Sequence, residues 1–594
     1  MTISSSGFSD WVTIDLDAPA SSTASSMPKQ GGSDAASDGF DIIDLEFTGV
    51  RAQAVENGRN RMALLAACFV AAFVILGLRV MELTLTDGPE LVAQASAVEG
   101  GPAHRLTITD RNGDVLATDV VVHSLYVDAR KVIEPLATAD ALLSVLPDLN
   151  REDLVSRLTS GRAFEWIKRK LGPRQQAAIH ALGLPGIAFQ REPQRVYPKG
   201  HSAAHVLGYV DTDNHGIAGI ESGLDAQIDR ASAADTRNVA LALDMRLQHA
   251  VEDELANAMS TYSARSAAGI VLDVHTGEVR ALASLPDYDP NAPMAADDAA
   301  RFNTATRALY EMGSTFKVFT AAIALDSGVA TMASRYDARQ PLKVGGFTIH
   351  DYHAEARILS VAEVVMHSSN IGSAKMALDV GVEQHREYLT RLGLLERPPL
   401  EIPEVAEPLL PSRWKEIETM TISYGHGLAV SPLQIAAAGA AIANGGYRVS
   451  PTLLSMRDKV PERERVLAAA TTKNVLTLMR RVVAEGTGGQ ADVPGYDVAG
   501  KTGTAEKPGR GGYDKNKLVT SFLAIFPARA PQYLVLVLLD EPQATKETYG
   551  YATAGWNAAP TAGRVIRRVA PILGVRPVTG PMPGPAIVEA GLVR

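Results

Sequence analysis

Cysteine is almost missing from this chain: its 594 residues include one, Cys68, so an internal disulfide is excluded. Cys68 sits in an apolar run and therefore says little about redox compartment. Basic charge is also short. Lys and Arg number 57 against 67 Asp and Glu, a net charge of -10. A surface built for nucleic acid normally shows the opposite excess, so no nucleic-acid partner is expected. Long apolar runs are absent with one exception, Met62 to Leu78, which carries no charge over its whole length.

That run reaches roughly 26 Å as a helix, near the lower limit for crossing a bilayer core. Arg51, Arg59 and Arg61 precede it and Arg79 follows. The bias predicts a single transmembrane helix over 59–80 with the N-terminus cytoplasmic and the long C-terminal part outside. The small-residue stretch Ala93 to Ala97 resembles a signal cleavage site, but it lies far past the run, and the preceding segment is too long for a signal peptide. An uncleaved inner-membrane anchor is the expectation.

Residues 1–58 are rich in Ser, Asp, Gly and Ala, and read as a disordered cytoplasmic tail. Two pieces within it resemble each other, "WVTIDLD" (Trp11 to Asp17) and "FDIIDLE" (Phe40 to Glu46). They read either as a chance similarity or as a repeated partner-binding peptide. Residues 81–238 mix short strands, helices and turns, and "LTITDRNGDVLATD" predicts a hairpin turning at Asn112-Gly113. A second unit, 239–575, opens with two alternating strands around His275-Thr276-Gly277-Glu278 and closes with two strongly apolar strands near Thr520 to Pro542. Helical segments lie between. The pattern predicts an α+β fold, with an antiparallel sheet closed by chain-distant strands and an inserted helical lobe. Residues 576–594 are Pro- and Gly-rich and read as a flexible tail.

The chemistry is concentrated in "YEMGSTFKVFTAAIAL", where Ser314 and Lys317 are three residues apart at the start of a helix apolar on nearly every side. Residues i and i+3 share a helix face. A lysine desolvated at the positive end of a helix has its pKa lowered, so its neutral amine can accept a hydroxyl proton. Ser-x-x-Lys alone is weak evidence, since it recurs at Ser26/Lys29 and Ser412/Lys415. Two further motifs follow in order. Ser368 and Asn370 form the chain's one Ser-x-Asn and open an apparent helix, and Lys501-Thr502-Gly503-Thr504 contains its one Lys-Thr-Gly. The segment "IHDYHAE" (His350, Asp351, His353, Glu355) lacks a known ligand spacing and reads as a solvated loop, so no metal and no cofactor are expected.

The ordered trio is a signature shared by penicillin-binding proteins and class A β-lactamases. With "ITDRNGDVLA", "LDVHTGEVRALASLPDYDPN", "SYGHGLAVSPLQIAAA" and "DVAGKTGTAEK", the chain resembles a class B penicillin-binding protein, most closely the division-specific type. The resemblance runs from the anchor to about residue 570. Met312 stands where many relatives have proline. It implies an elongated class B dimerisation-type pedestal and a transpeptidase domain whose antiparallel sheet is sandwiched by helices.

The implied activity is a serine D,D-transpeptidase that cross-links peptidoglycan stem peptides from lipid II-derived strands at the septum, with β-lactams as inhibitors. Implied roles are Ser314 as nucleophile, Lys317 as base, and Ser368 and Asn370 as proton relay and peptide holder. Lys501 and Thr502 would bind the terminal carboxylate, Gly503 would admit close approach, and the backbone N–H groups of Ser314 and Thr504 would form the oxyanion hole. Implied partners are a SEDS-type glycosyltransferase, FtsW, and other divisome membrane proteins. Elongation-specific transpeptidases and β-lactam-sensing receptors are the competing readings. A β-lactamase is disfavoured because the catalytic region lacks the Glu-x-x-Leu-Asn that supports deacylation by water.

Overall fold

The computed structural model describes residues 61–78, 81, 105–228, 238–457, 461–509 and 512–578. The N-terminal tail with its paired peptides, and most of the C-terminal tail, lie outside the described residues. The chain divides into two compact units, Met1–Glu99 and Gly100–Arg594.

In the first unit, Arg61–Leu78 is one helix of 18 residues with a mean hydropathy of 2.3. Its side chains are exposed along the whole length. An apolar core helix hides such a surface, whereas a lipid-facing one does not. The helix fits a single-pass membrane anchor.

The second unit begins with a five-stranded sheet: β1 (Thr107–Thr109), β2 (Val115–Val127), β3 (Glu165–Leu171), β4 (Ile187–Val196) and β5 (Asn238–Ala240). The long β2 pairs antiparallel with β1, β3 and β4, and β5 runs parallel to β1. The hairpin expected at Asn112-Gly113 is present. Gly113 adopts φ +96, and the Asp110 carboxylate accepts from the backbone N–H of Asn112 at 2.7 Å and of Asp114 at 2.9 Å. Helices Pro135–Val145 and Arg151–Leu158 cover one end, burying Leu142 and Leu154 against Leu125, Val127 and Ile167. A buried ionic knot ties the other end together. The fully buried Glu221 carboxylate accepts from Arg195 Nε at 2.6 Å and Arg105 Nε at 2.9 Å.

A second five-stranded sheet organises the C-terminal half: β6 (Ser266–Asp273), β7 (Val279–Leu285), β8 (Ala499–Gly509), β9 (Gly512–Phe526) and β10 (Tyr533–Asp540), in the spatial order β8-β9-β10-β6-β7. All neighbours are antiparallel, and the chain-distant strands β10 and β6 pair in the middle, as the sequence pattern predicts. The expectation of alternating, half-buried strands for β6 and β7 is corrected: nearly every residue of both is buried. The reason is cover on both faces. Val535, Val537 and Leu539 point into one core with helices α1 (Met245–Tyr262) and α6 (Ala558–Ile572), while Leu534, Leu536 and Leu538 point into another. That second core includes α2 (Lys317–Asp326) and α4 (Pro432–Ala443). A sheet buried twice has no polar face to alternate with. The helical lobe between β7 and β8 also contains α3 (Asn370–Val380) and α5 (Ala469–Ala484).

Candidate active site

Ser314 lies in a 3-10 turn, Gly313–Phe316, that runs directly into α2. The sequence predicts it in the first turn of the α-helix itself, and the backbone explains the difference. Gly313 adopts φ +50, its N–H donates to Gly425 O at 3.2 Å, and a Cβ there would collide with the carbonyl of Thr504. Two chain segments thus press on the turn and tighten it. Gly425 has the same constraint, with φ +85 and no room for a Cβ against the Gly313 backbone.

Lys317 is fully buried one turn on, and its Nζ has four oxygen neighbours. Ser314 Oγ is at 2.9 Å, Ser368 O at 2.5 Å, Ser368 Oγ at 3.0 Å and Asn370 Oδ1 at 2.7 Å. Desolvation pushes the Lys317 pKa well below the ordinary lysine value; the nearby Lys501 pushes it further, while Asp351 opposes. A neutral amine has two N–H bonds and one lone pair. The Ser368 carbonyl and the Asn370 amide oxygen can only accept, so they take the two N–H bonds. The lone pair is left for a hydroxyl proton. Ser314 and Ser368 both offer one.

Ser368 and Asn370 meet Lys317 because of a local distortion. The sequence predicts Ser368 opening the helix, but the N-cap of α3 is Ser369, whose Oγ accepts from Gly372 N–H at 3.0 Å. Ser368 precedes the cap at φ +60, a left-handed conformation that is costly for a residue with a Cβ. That twist turns both its carbonyl and its hydroxyl onto Lys317. The segment read as a solvated loop holds the twist in place. Asp351 accepts from Ser369 Oγ at 2.7 Å and Ile371 N–H at 2.9 Å, and the His350 carbonyl accepts from Asn370 Nδ2 at 2.9 Å. His353 and Glu355 are exposed. The loop reading therefore holds for those two and fails for Asp351.

The Lys-Thr-Gly residues lie on β8, the edge strand of the sheet. Lys501 is fully buried, with Nζ 3.2 Å from Ser368 Oγ and 3.0 Å from the Thr502 carbonyl, and desolvation lowers its pKa to about 7. Ser368 Oγ thus bridges two lysines. Thr502 Oγ1 is 2.8 Å from Thr487 Oγ1, and Thr504 Oγ1 accepts from Ala554 N–H at 3.1 Å. Gly503 has no space for a side chain, since a Cβ would overlap Thr315 Oγ1, the Met312 carbonyl and Ser521 Oγ. The Thr504 carbonyl points off the free edge towards Gly313. In an antiparallel strand a residue's N–H and C=O share a side, so the Thr504 N–H also faces the Ser314 turn. All eight residues singled out from the sequence lie together around Lys317 and the Ser314 turn.

Residues 267–564 match the penicillin binding protein transpeptidase domain, and residues 101–233 the penicillin-binding protein dimerisation domain. A probable peptidoglycan D,D-transpeptidase FtsI of Caulobacter vibrioides is 44% identical over 513 residues, 84% of this chain and 86% of that protein. The chain belongs to the class B penicillin-binding proteins. The peptidoglycan D,D-transpeptidase FtsI of Escherichia coli is 32% identical, over 87% of this chain and 92% of its own length. Among solved structures, penicillin-binding protein 3 of Mycobacterium tuberculosis complexed with ampicillin superposes with a TM-score of 0.64 at 26% identity, covering 81% of this chain and 98% of that one.

In this penicillin-binding protein, three contributors to the site were not read from the sequence: Asp351, Gly425 and the Thr487 hydroxyl behind Thr502. Asp351 and Gly425 lie in segments the sequence had singled out, "IHDYHAE" and "SYGHGLAVSPLQIAAA", without a role assigned to either. Thr487 lies in no such segment.

Proposed function

We propose that this chain cross-links peptidoglycan stem peptides during septal wall synthesis, through an acyl-enzyme on Ser314. The observation that carries the reading is the Lys317 amine, buried, short of protons, and 2.9 Å from Ser314 Oγ. The donor peptide lies extended along the free edge of β8, where strand addition supplies main-chain hydrogen bonds. Its terminal carboxylate is held by Lys501 and Thr502. Lys317 takes the Ser314 proton as Oγ attacks the penultimate D-Ala carbonyl carbon. The oxyanion is met by the N–H groups of Ser314 and Thr504. The C–N bond breaks, the terminal D-Ala nitrogen receives a proton relayed through Ser368, and D-Ala departs. An amine of a neighbouring stem then attacks the ester carbonyl carbon, Lys317 takes a proton from the amine nitrogen and delivers it to Ser314 Oγ, and the C–Oγ bond breaks. A β-lactam acylates Ser314 by the same first step, its ring amide C–N bond opening instead.

The arginines before Arg61–Leu78 support a cytoplasmic N-terminus and a periplasmic catalytic unit held at the inner membrane. The two matched regions support a pedestal over 81–238 and a transpeptidase domain over 239–575. Neither region is a glycan polymerase, so strand polymerisation is assigned to a partner in the membrane, a SEDS-type glycosyltransferase of the FtsW kind, alongside other divisome proteins. The FtsI relatives favour the septal assignment.

Fluorescent-penicillin labelling of the full chain, with mapping of the modified peptide, tests the chemistry: the label is expected on Ser314. Depletion tests the setting. Filamentous cells with normal side walls are expected, and rounded cells would assign the chain to elongation instead.

A further inference from the structure

Transpeptidation needs a second substrate, an amine, and the groups described so far handle only the donor. Ser368, Lys501 and Thr502 occupy one side of Ser314. On another side, the strand Tyr310–Glu311 pairs with Ala429–Val430, which brings the turn Gly425-His426-Gly427 against the start of the nucleophile turn. Two titratable side chains meet there. Glu311 Oε1 accepts from Gly427 N–H at 2.8 Å and from Tyr513 OH at 2.9 Å. The His426 ring is wedged between Tyr424 and Tyr513, each 5.4 Å away centroid to centroid.

These bonds fix both side chains yet leave part of each unused. Glu311 Oε2 and His426 Nδ1 are buried and have no protein hydrogen-bond partner. A buried polar atom left unpaired is costly, so a partner is called for at each. Both atoms accept hydrogen bonds when the imidazole is in its Nε2-protonated tautomer, so together they suit a ligand that only donates. Glu311 and Gly427 also line an open cavity of about 460 Å³ beside Glu506 and Leu409.

We propose that Glu311 and His426 form the acceptor subsite: they bind the ammonium group of the incoming stem peptide and remove the proton that blocks its attack. The proposal rests on the reading of Ser314 as the acylated residue and adds the second substrate to it. The ammonium donates to Glu311 Oε2 and to His426 Nδ1. One proton passes to Nδ1, giving an imidazolium beside the Glu311 carboxylate. The freed nitrogen lone pair attacks the ester carbonyl carbon and the new C–N bond forms. The C–Oγ bond to Ser314 breaks, and a second proton from nitrogen reaches Oγ through Lys317. The imidazolium then returns its proton to water, so atoms and charge balance.

The surroundings of His426 suit this task. Desolvation lowers its pKa and keeps the resting ring neutral; Glu311 raises it, Lys317 lowers it, Glu506 raises it, and the Tyr424 main chain adds a smaller upward contribution. The Tyr424 and Tyr513 phenols are the other titratable groups packed on the ring.

The test uses the full chain in detergent, an N-acyl-D-alanyl thioester as donor and D-alanine as amine acceptor. Two rates are read: acylation by penicillin, and the partition of the acyl-enzyme between aminolysis and hydrolysis. Glu311→Gln keeps an oxygen for Gly427 and Tyr513 but loses the charge, and His426→Gln removes the base. Each is expected to lower the aminolysis-to-hydrolysis ratio by about 10²-fold, the low end for loss of a positioned base. In His426→Gln the residual aminolysis should follow the free-amine fraction alone and rise with pH towards the pKa of the amine itself. A ratio unchanged in both variants overturns the proposal, and so does an equal fall in acylation and aminolysis, which would mark a structural role. Penicillin labelling that persists in Ser314→Ala would overturn the underlying reading instead, so the two failures are distinct.

Discussion

The Asp351 carboxylate holds Ser369 by its hydroxyl at 2.7 Å, and through it fixes the strained residue, Ser368, that faces Lys317. Asp351 touches neither Ser314 nor Lys317 in any hydrogen bond, yet it determines whether Ser368 and Asn370 face them. Asp351→Ala is expected to slow penicillin acylation by about 10-fold or more, the cost of one charge-assisted hydrogen bond at roughly 1.5–3 kcal/mol. Stopped-flow acylation alongside thermal melting checks it. An unchanged acylation rate would show that α3 holds the Ser368 twist by itself.

Ser314→Ala should abolish penicillin labelling and Ser412→Ala should preserve it. Ser412 is exposed in a loop, and Lys415 beyond it caps the helix Glu416–Ile422 rather than facing a hydroxyl. Gel fluorescence of the two variants decides the matter.

Acylation should have a bell-shaped pH dependence. In acid Lys317 gains a proton and can no longer accept one from Ser314, so the rate falls. Its depressed pKa places that limb far below the usual lysine range. Lys501 has to be charged to attract a carboxylate, and with its pKa near 7 it loses that charge as pH rises. The alkaline limb of kcat/KM, which reports the free enzyme, should therefore start near pH 7. Lys501→Arg stays charged throughout, so its profile should lack that limb even if its overall rate is lower. A limb that survives the substitution would assign it to another group.

Glu221→Ala should destabilise the pedestal by about 3–5 kcal/mol, because it strands Arg105 and Arg195 with much less of their countercharge. Glu221→Gln keeps the shape and should cost less. Denaturant unfolding followed by Trp166 fluorescence would rank the pair, and equal stability of all three proteins would refute a structural role for the knot.

Legibility from sequence followed the range of each cause. The anchor and the three motifs were readable because each is local: a run of apolar residues, or a nucleophile and a base one turn apart. The β10–β6 pairing was also readable, from apolar strands at both ends of the unit. The burial of β6 on both faces was not: α1, just before it in the chain, covers one face, but the other is covered by α4, supplied by residues far along the chain. The 3-10 turn at Ser314 depends on Gly425 and Thr504, and the twist at Ser368 on Asp351, none of which is a neighbour in sequence. Glu311 and His426 were passed over for the same reason.

The pairing of β10 with β6 also sets when this molecule can begin to work. Its central strands come from opposite ends of the catalytic unit, and β8, which carries Lys501, attaches to the sheet only through β9. A nascent chain that has been made through α3 already possesses Ser314, Lys317, Ser368 and Asn370, but of the sheet it has only the β6–β7 pair, without β8, β9 and β10. Contacts so distant in sequence form late and slowly. A chain still being completed is therefore expected to be chemically silent, and penicillin should fail to mark truncated or stalled forms that stop short of Asp540. Reactivity arrives all at once, with the closing strand.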